Sequence, residues 1–252
     1  QNMGNNLKYE DLPALIYIEY KINGYKDFDK YRHIVIDEAQ DYNTFSFIAL
    51  QKIFPKASFS IYGDIAQSIY SYRSLDNWES IKNNVFKTVD IKYLNKSYRT
   101  TIEIMNEANK INKYLNLPEA SAVIRHGNEV TYKKVLTAEE FIPLINELIA
   151  DGKKSIAIIS KDTETSNKLY LNLKNNINLT NISDKSGENI NGICTISCHL
   201  CKGLEFDAVI INNVNDFDIN NTLDMKLLYV AMTRALHSLV ITYNDSIPTI
   251  LE

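Results

Sequence analysis

Apolar positions along this chain fall into two periods. Short runs rich in Ile and Val occur at "HIVID" (33–37), "SFSIYG" (58–63), "VDIKYL" (89–94), "SIAIIS" (155–160), "GICTIS" (192–197), "FDAVIIN" (206–212) and "SLVITY" (238–243). Each reads as a β-strand. Between them apolar residues recur at helical spacing. Thr100 and Glu103 have capping-box spacing, and Ile104, Ala108, Ile111 and Leu115 follow along one face. "EEFIPLINELIADG" groups Phe141, Leu144, Ile145, Leu148 and Ile149 and stops at Gly152. Residues 164–175 and 222–237 read as helices in the same way, whereas Ala122 to Val135 reads as short extended pieces around "HGNE". Strands alternating with amphipathic helices predict an α/β fold of parallel sheets with flanking helices.

Mixed polarity between about residues 75 and 92 predicts a boundary, with an incomplete first domain over 1–88 and a complete second one over 89–252. The 252 residues are enough to give each a core. Acidic residues number 31 against 27 basic ones, a net charge of -4. That argues against a chain that holds nucleic acid through bulk electrostatics, although a local basic groove stays open. No run approaches the roughly 18 apolar residues of a membrane span, and no signal-peptide pattern opens the chain. A cytoplasmic protein without a membrane partner is therefore the expectation. The chain starts at Gln1, and its first strong strand pattern arrives only around Ile34, which predicts a piece of something longer. Zinc would need four good ligands. Three cysteines (194, 198 and 201) surround His199, with Cys194 inside a predicted strand, so reduced, free thiols are expected.

In a parallel sheet the ligand crevice faces the carboxyl ends of the strands. The first strand ends in Asp37 and Glu38. Asp37 is placed to hold Mg²⁺ and Glu38 to deprotonate an attacking water, or the pair closes the strand in a solvated acidic turn. A second strand ends at Gly63 and Asp64, followed by Gln67, whose amide suits both a phosphate oxygen and a water. Tyr98 offers a flat face to a purine, and Arg99 a fork to phosphate oxygens. "TISCHLCKGLEFDAVII" runs through His199, Lys202 and Gly203 to Glu205, the glycine permitting close approach of backbone to ligand. Arg234 lies near the end of "LLYVAMTRALH", where the helix dipole by itself favours an arginine.

In chain order, "VIDEAQD", "YGDIAQSIY", "NKSYRT", "TISCHLCKGLEFD" and "LLYVAMTRA" resemble motifs II to VI of the superfamily 1 UvrD/Rep-type helicases, a likeness covering about residues 11–243. The resemblance implies RecA-like parallel sheets: the C-terminal part of motor domain 1A with motifs II and III, then motor domain 2A with motifs IV to VI. It implies ATP and Mg²⁺ as cofactors. Asp37 is then similar to the Walker B ligand of Mg²⁺, Glu38 to the general base and Gln67 to the γ-phosphate contact. Tyr98 resembles the base-stacking tyrosine, Arg99 and Arg234 the two arginine fingers, and Glu205 the acid on the ribose. Tyr70, Tyr72, Arg73 and His199, with Lys202 nearby, match positions that link the ATP site to single-stranded nucleic acid.

Two departures qualify the likeness. No G-x-x-x-x-G-K-[ST] loop occurs in these residues. Motif I is expected N-terminal to Asp37, in a segment this sequence does not contain, and the isolated chain is expected to hydrolyse ATP negligibly. The interval from Arg99 to Thr195 also leaves no room for a large 2B insertion, and Ser97 stands where those helicases usually have Asn. With the opening "YEDLPALIYIEYKING", these features most resemble the HelD branch, which uses ATP to clear RNA polymerase from nucleic acid. The implied partners are single-stranded or duplex DNA, RNA polymerase core, or both, together with the missing N-terminal segment. The alternative is a catalytically inactive RecA-like binding or regulatory module.

Overall fold

A computed structural model describes residues 7–24, 26–70, 74–75, 77–122, 125–183 and 191–252. The chain divides into two compact units, Gln1–Tyr93 and Leu94–Glu252.

Unit 1 contains α1 (Leu12–Asn23), β1 (His33–Ile36), α2 (Thr44–Ile53), β2 (Ser58–Ile61) and α3 (Glu79–Asn84). β1 and β2 pair in parallel, with Ile36 opposite Ile61. Asn43 caps α2 by accepting the Ser46 amide at 2.9 Å, satisfying one of the donors every helix start leaves open. Ile36, Ala39, Phe47, Leu75 and Ile81 form the core, with Trp78 packed against it.

Unit 2 contains β3 (Lys96–Ser97), α4 (Ile102–Tyr114), β4 (Ser121–Ala122), β5 (Thr131–Lys134), α5 (Phe141–Ala150), β6 (Ser155–Ser160) and α6 (Thr163–Leu173). It continues with β7 (Thr180–Ile182), β8 (Gly192–Ser197), α7 (Cys198–Cys201), β9 (Phe206–Ile211), α8 (Thr222–Met232) and β10 (Ala235–Tyr243). Among the described residues its main sheet has six strands in the order β5-β10-β9-β6-β8-β7, every pairing parallel. β6, β8 and β9 are buried along almost their whole length, which is why their sequences are continuous apolar runs rather than alternating ones. β6 and β9 bring Ile156, Ile158, Ala208 and Ile210 against Phe141, Ile145 and Leu148 of α5 and Leu169 and Leu173 of α6. No helix among the described residues is long and apolar enough to cross a membrane.

Four details differ from the sequence reading. Residues 89–94 form no strand; Tyr93 and Leu94 are largely exposed, and alternation without a partner strand is not enough. The cap of α4 is Thr101, one residue later than the spacing suggested, and Glu103 reaches away to accept the Gly127 amide at 2.8 Å. Residues 180–182 form the unforeseen short strand β7, whereas the edge strand β5 at 131–134 is one of the short extended pieces expected between 122 and 135. The segment 222–237 is not one helix. The Thr233 hydroxyl donates back to the carbonyls of Tyr229 and Val230, both at 3.0 Å, and the chain then turns so that Ala235 pairs with Phe206. Arg234 therefore stands in a turn rather than in a helix.

Candidate functional site

In unit 1 the parallel ladder places the carboxyl ends of β1 and β2 side by side. It extends one step beyond the strands, with Tyr62 N donating to Ile36 O and Ala39 N to Tyr62 O, both at 2.8 Å. Asp37–Glu38 and Gly63–Asp64 are thereby brought together. Glu38 has φ of +50°, a left-handed conformation uncommon outside glycine and asparagine. Such backbone persists only where its surroundings hold it. Here the Glu38 amide donates to Asp37 Oδ1 at 2.8 Å, while the Asp41 amide donates to Glu38 O at 3.0 Å.

Behind this exposed pair lies Gln40, only 1% exposed. Its Nε2 donates to Glu38 Oε2 at 2.6 Å, and its Oε1 accepts the Asp64 amide at 3.0 Å. Asp64 Oδ1 accepts the Ala66 amide and Oδ2 accepts Gln67 Nε2, both at 2.9 Å. Glu38 and Gln67, singled out from sequence, are thus joined through Asp64, read there only as a strand end, and through Gln40, which was given no role. The available signal was the repeated pattern of an acid pair or Gly-Asp followed by a glutamine. Tyr70 is half-buried in this unit, while Tyr72 and Arg73 lie outside the described residues.

In unit 2 Arg99 Nε meets Glu205 Oε1 at 2.7 Å, both side chains about two-fifths exposed. Arg234 is 1% exposed. Its Nε donates to Val230 O at 3.0 Å, Nη1 to Leu204 O at 3.4 Å and Nη2 to Thr233 Oγ1 at 3.2 Å. The two arginines therefore meet at Leu204–Glu205, one on the carboxylate and the other on the preceding carbonyl. Tyr98, beside Arg99, is 75% exposed and presents its ring to solvent.

His199 lies in the four-residue α7, and Lys202 caps its end; both are half-buried. Gly203 has φ of +85°, and a Cβ there would meet open space. Its glycine is thus required by the left-handed backbone rather than by a close neighbour. Cys194, Cys198 and Cys201 are free and buried. Burial pushes the Cys194 thiol up to about 12 and that of Cys198 well above the ordinary range. Among the described residues no three His, Cys, Asp or Glu side chains come together as metal ligands do.

Comparison with known proteins gives a consistent family. A profile described as the UvrD-like helicase C-terminal domain matches residues 20–246. The ATP-dependent DNA helicase Rep of Buchnera aphidicola is 30% identical over 115 residues, 42% of this chain and 17% of that protein. The "Probable DNA helicase II homolog" of Mycoplasma capricolum is 29% identical over 164 residues, 59% of this chain and 22% of its own length. The matched region thus spans less than a quarter of either relative. Among solved structures, the C-terminal domain of a possible DNA helicase from Lactobacillus plantarum WCFS1 has a TM-score of 0.50 at 24% identity, covering 62% of this chain and 92% of that one. That likeness concerns the fold.

Proposed function

The chain belongs to the UvrD-like helicase C-terminal domain family and is a superfamily 1 motor module, and on that footing we propose that it carries part of the ATP-hydrolysing machinery of a UvrD/Rep-class helicase or translocase. The observation that carries this reading is the bonded series from Glu38 through Gln40 and Asp64 to Gln67. An acid that handles a water and an amide that contacts a phosphate need a fixed mutual position, and a solvated acidic turn does not.

The donor set suits the expected cofactors. Both Asp64 oxygens accept hydrogen bonds from their own turn, whereas the exposed Asp37 carboxylate gives Oδ1 to the Glu38 amide and keeps Oδ2 for Mg²⁺, a hard cation that keeps waters and shares phosphate oxygens. When bound, Mg·ATP supplies the transferable phosphoryl group and the metal's charge. In unit 1 Glu38 would take a proton from water and Gln67 would orient on a phosphate; in unit 2 Tyr98 would offer its ring to a base and Arg99 its charge to a phosphate. Glu205 either shares Arg99 with the nucleotide or releases it. Arg234 acts on phosphate only after exchanging its carbonyl partners. Gly203 lets the backbone come close to the nucleotide, and His199, Lys202 and Tyr70, with Tyr72 and Arg73, are assigned to the coupling of nucleotide state to nucleic acid.

The finer assignment is a HelD-like motor that works on RNA polymerase core, supported by the short interval between Arg99 and Thr195 and by Ser97. Its rival, DNA unwinding, is what the printed names of the two curated relatives describe. A phosphate-release assay tests the ATPase reading. The chain alone is expected to give no turnover, because its sequence has no G-x-x-x-x-G-K-[ST] loop. Turnover should appear once a polypeptide bearing that loop is supplied, and should vanish with Glu38→Gln or Arg99→Ala. No turnover with that polypeptide, or turnover of the added polypeptide indifferent to both substitutions, would favour an inactive binding module instead. Capture of RNA polymerase core without separation of a fluorescent DNA duplex would favour the HelD-like assignment; the reverse would favour a helicase.

A further inference from the structure

We propose that Gln40 is a positioning residue that fixes the Glu38 carboxylate and mechanically ties it to Gln67. This rests on the reading of Glu38 and Gln67 given above, and it concerns a residue to which no role has been assigned.

The chemistry of the position is restrictive. A carboxamide is the side-chain group of this length that donates at one end and accepts at the other. Gln40 uses both ends, donating to Glu38 Oε2 and accepting from the Asp64 amide. Its backbone is pinned as well, with its carbonyl accepting the Leu75 amide at 3.0 Å. Glutamate at this position would set a second negative charge against Glu38 and offer it no donor. Methionine would fill the same space and leave the Asp64 amide without its acceptor.

The fold also reserves room for this contact. A Cβ built on Gly63 would lie 2.5 Å from Gln40 Oε1 and 3.0 Å from Gln40 N. The second strand end can approach the carboxamide this closely because residue 63 has no side chain. Beyond Asp64 the series continues through its carboxylate to Gln67. Gln40 is buried whereas Glu38 is exposed and Asp64 and Gln67 half-buried, so the coupling runs through the one carboxamide whose two bonds water cannot readily replace. A displacement of Glu38 is thus transmitted to Gln67 over one buried carboxamide and one carboxylate. Gln40 touches no reacting atom in this scheme. Its effect is to orient one carboxylate oxygen of a residue with left-handed backbone and to make the two strand ends respond together.

The test is spectroscopic and needs no nucleotide. In ¹H–¹⁵N spectra of the 252-residue chain, Glu38→Gln should shift the side-chain amide of Gln40, the backbone amide of Asp64 and the side-chain amide of Gln67. In a Gln40→Met background the same Glu38→Gln change should leave Asp64 and Gln67 unmoved. Gln40→Met alone should also raise hydrogen exchange at the Asp64 amide about tenfold. If Gln40→Met does not fold, Gln40→Asn, one methylene shorter, breaks the bridge while keeping a polar group. Gln67 responding equally with and without Gln40, or unchanged exchange at Asp64, overturns the proposal. Because these signals are read without ATP, they stand or fall apart from the phosphate-release result, which judges Glu38 as base.

Discussion

Replacing Gly63 by alanine puts a methyl group where the structure has none to spare. The new carbon would lie 2.5 Å from Gln40 Oε1, 2.9 Å from Trp78 Cη2 and 3.0 Å from the Gln40 backbone nitrogen. The carboxamide can swing away, but only by giving up its bonds to Glu38 and to the Asp64 amide. At about 1 kcal/mol for each lost bond, with a further ~1 to 2 kcal/mol for overpacking against backbone and ring, the cost comes to about 3 to 4 kcal/mol. The sole tryptophan of the chain is Trp78, so its fluorescence reports on unit 1 directly. With a urea slope of roughly 1 to 2 kcal/mol per molar, the Trp78 transition should move down by about 1.5 to 4 M. Gly152→Ala is the control: it lies in unit 2 with φ of +81° and open space around it. It should cost about 1 kcal/mol of backbone strain and leave the Trp78 transition in place. A Gly63→Ala chain with an unaltered transition and unaltered Trp78 emission would refute the reasoning.

The three buried cysteines should resist a thiol reagent at pH 8 and react together on denaturation, since burial holds the Cys194 and Cys198 thiols protonated; rapid labelling of the folded chain contradicts this. The hydrogen bond from His126, then that from the Gly127 amide, hold Glu103 down to about 2. A depressed carboxylate contributes stability that is full above its unfolded value of 4.5 and lost as pH falls toward 2. In a carbon-detected titration His126→Ala should move the Glu103 midpoint up toward 4.5, and an unmoved midpoint would show that the pair is not the cause. Asp224→Ala removes the 2.6 Å pair with Lys161 and the acceptor of the Asp218 amide. After a discount for the partly exposed lysine it should cost about 2 kcal/mol in thermal or urea unfolding, and a loss under half that would show the pair to be incidental. The half-exposed Arg99–Glu205 pair should give a double-mutant coupling below about 1 kcal/mol; a much larger coupling would mean that Arg99 is locked rather than available to a phosphate.

Much of the architecture could be read before any coordinates. Six of the seven proposed strands are present, and α5 and α6 lie where the periodicity put them, because buried parallel strands and one-sided helices leave patterns that depend on near neighbours alone. "VDIKYL" failed because its alternation resembles that of a strand while no strand among the described residues pairs with it, which no local pattern reveals. The helix through 222–237 was overextended for a related reason: pairing of Ala235 with Phe206, distant in sequence, overrode local propensity.

Residue types and their order determined that this chain is a parallel α/β protein with acids at strand ends and arginines downstream, since those features are local and chemically distinctive. Which of those groups meet was decided by packing. Gln40 looks like any surface glutamine until two strand ends close over it, and Arg234 like an exposed helix-end cation until the turn after α8 buries it against carbonyl oxygens. Partnership between residues far apart in sequence depends on burial and register, and those exist only once the sheets have formed.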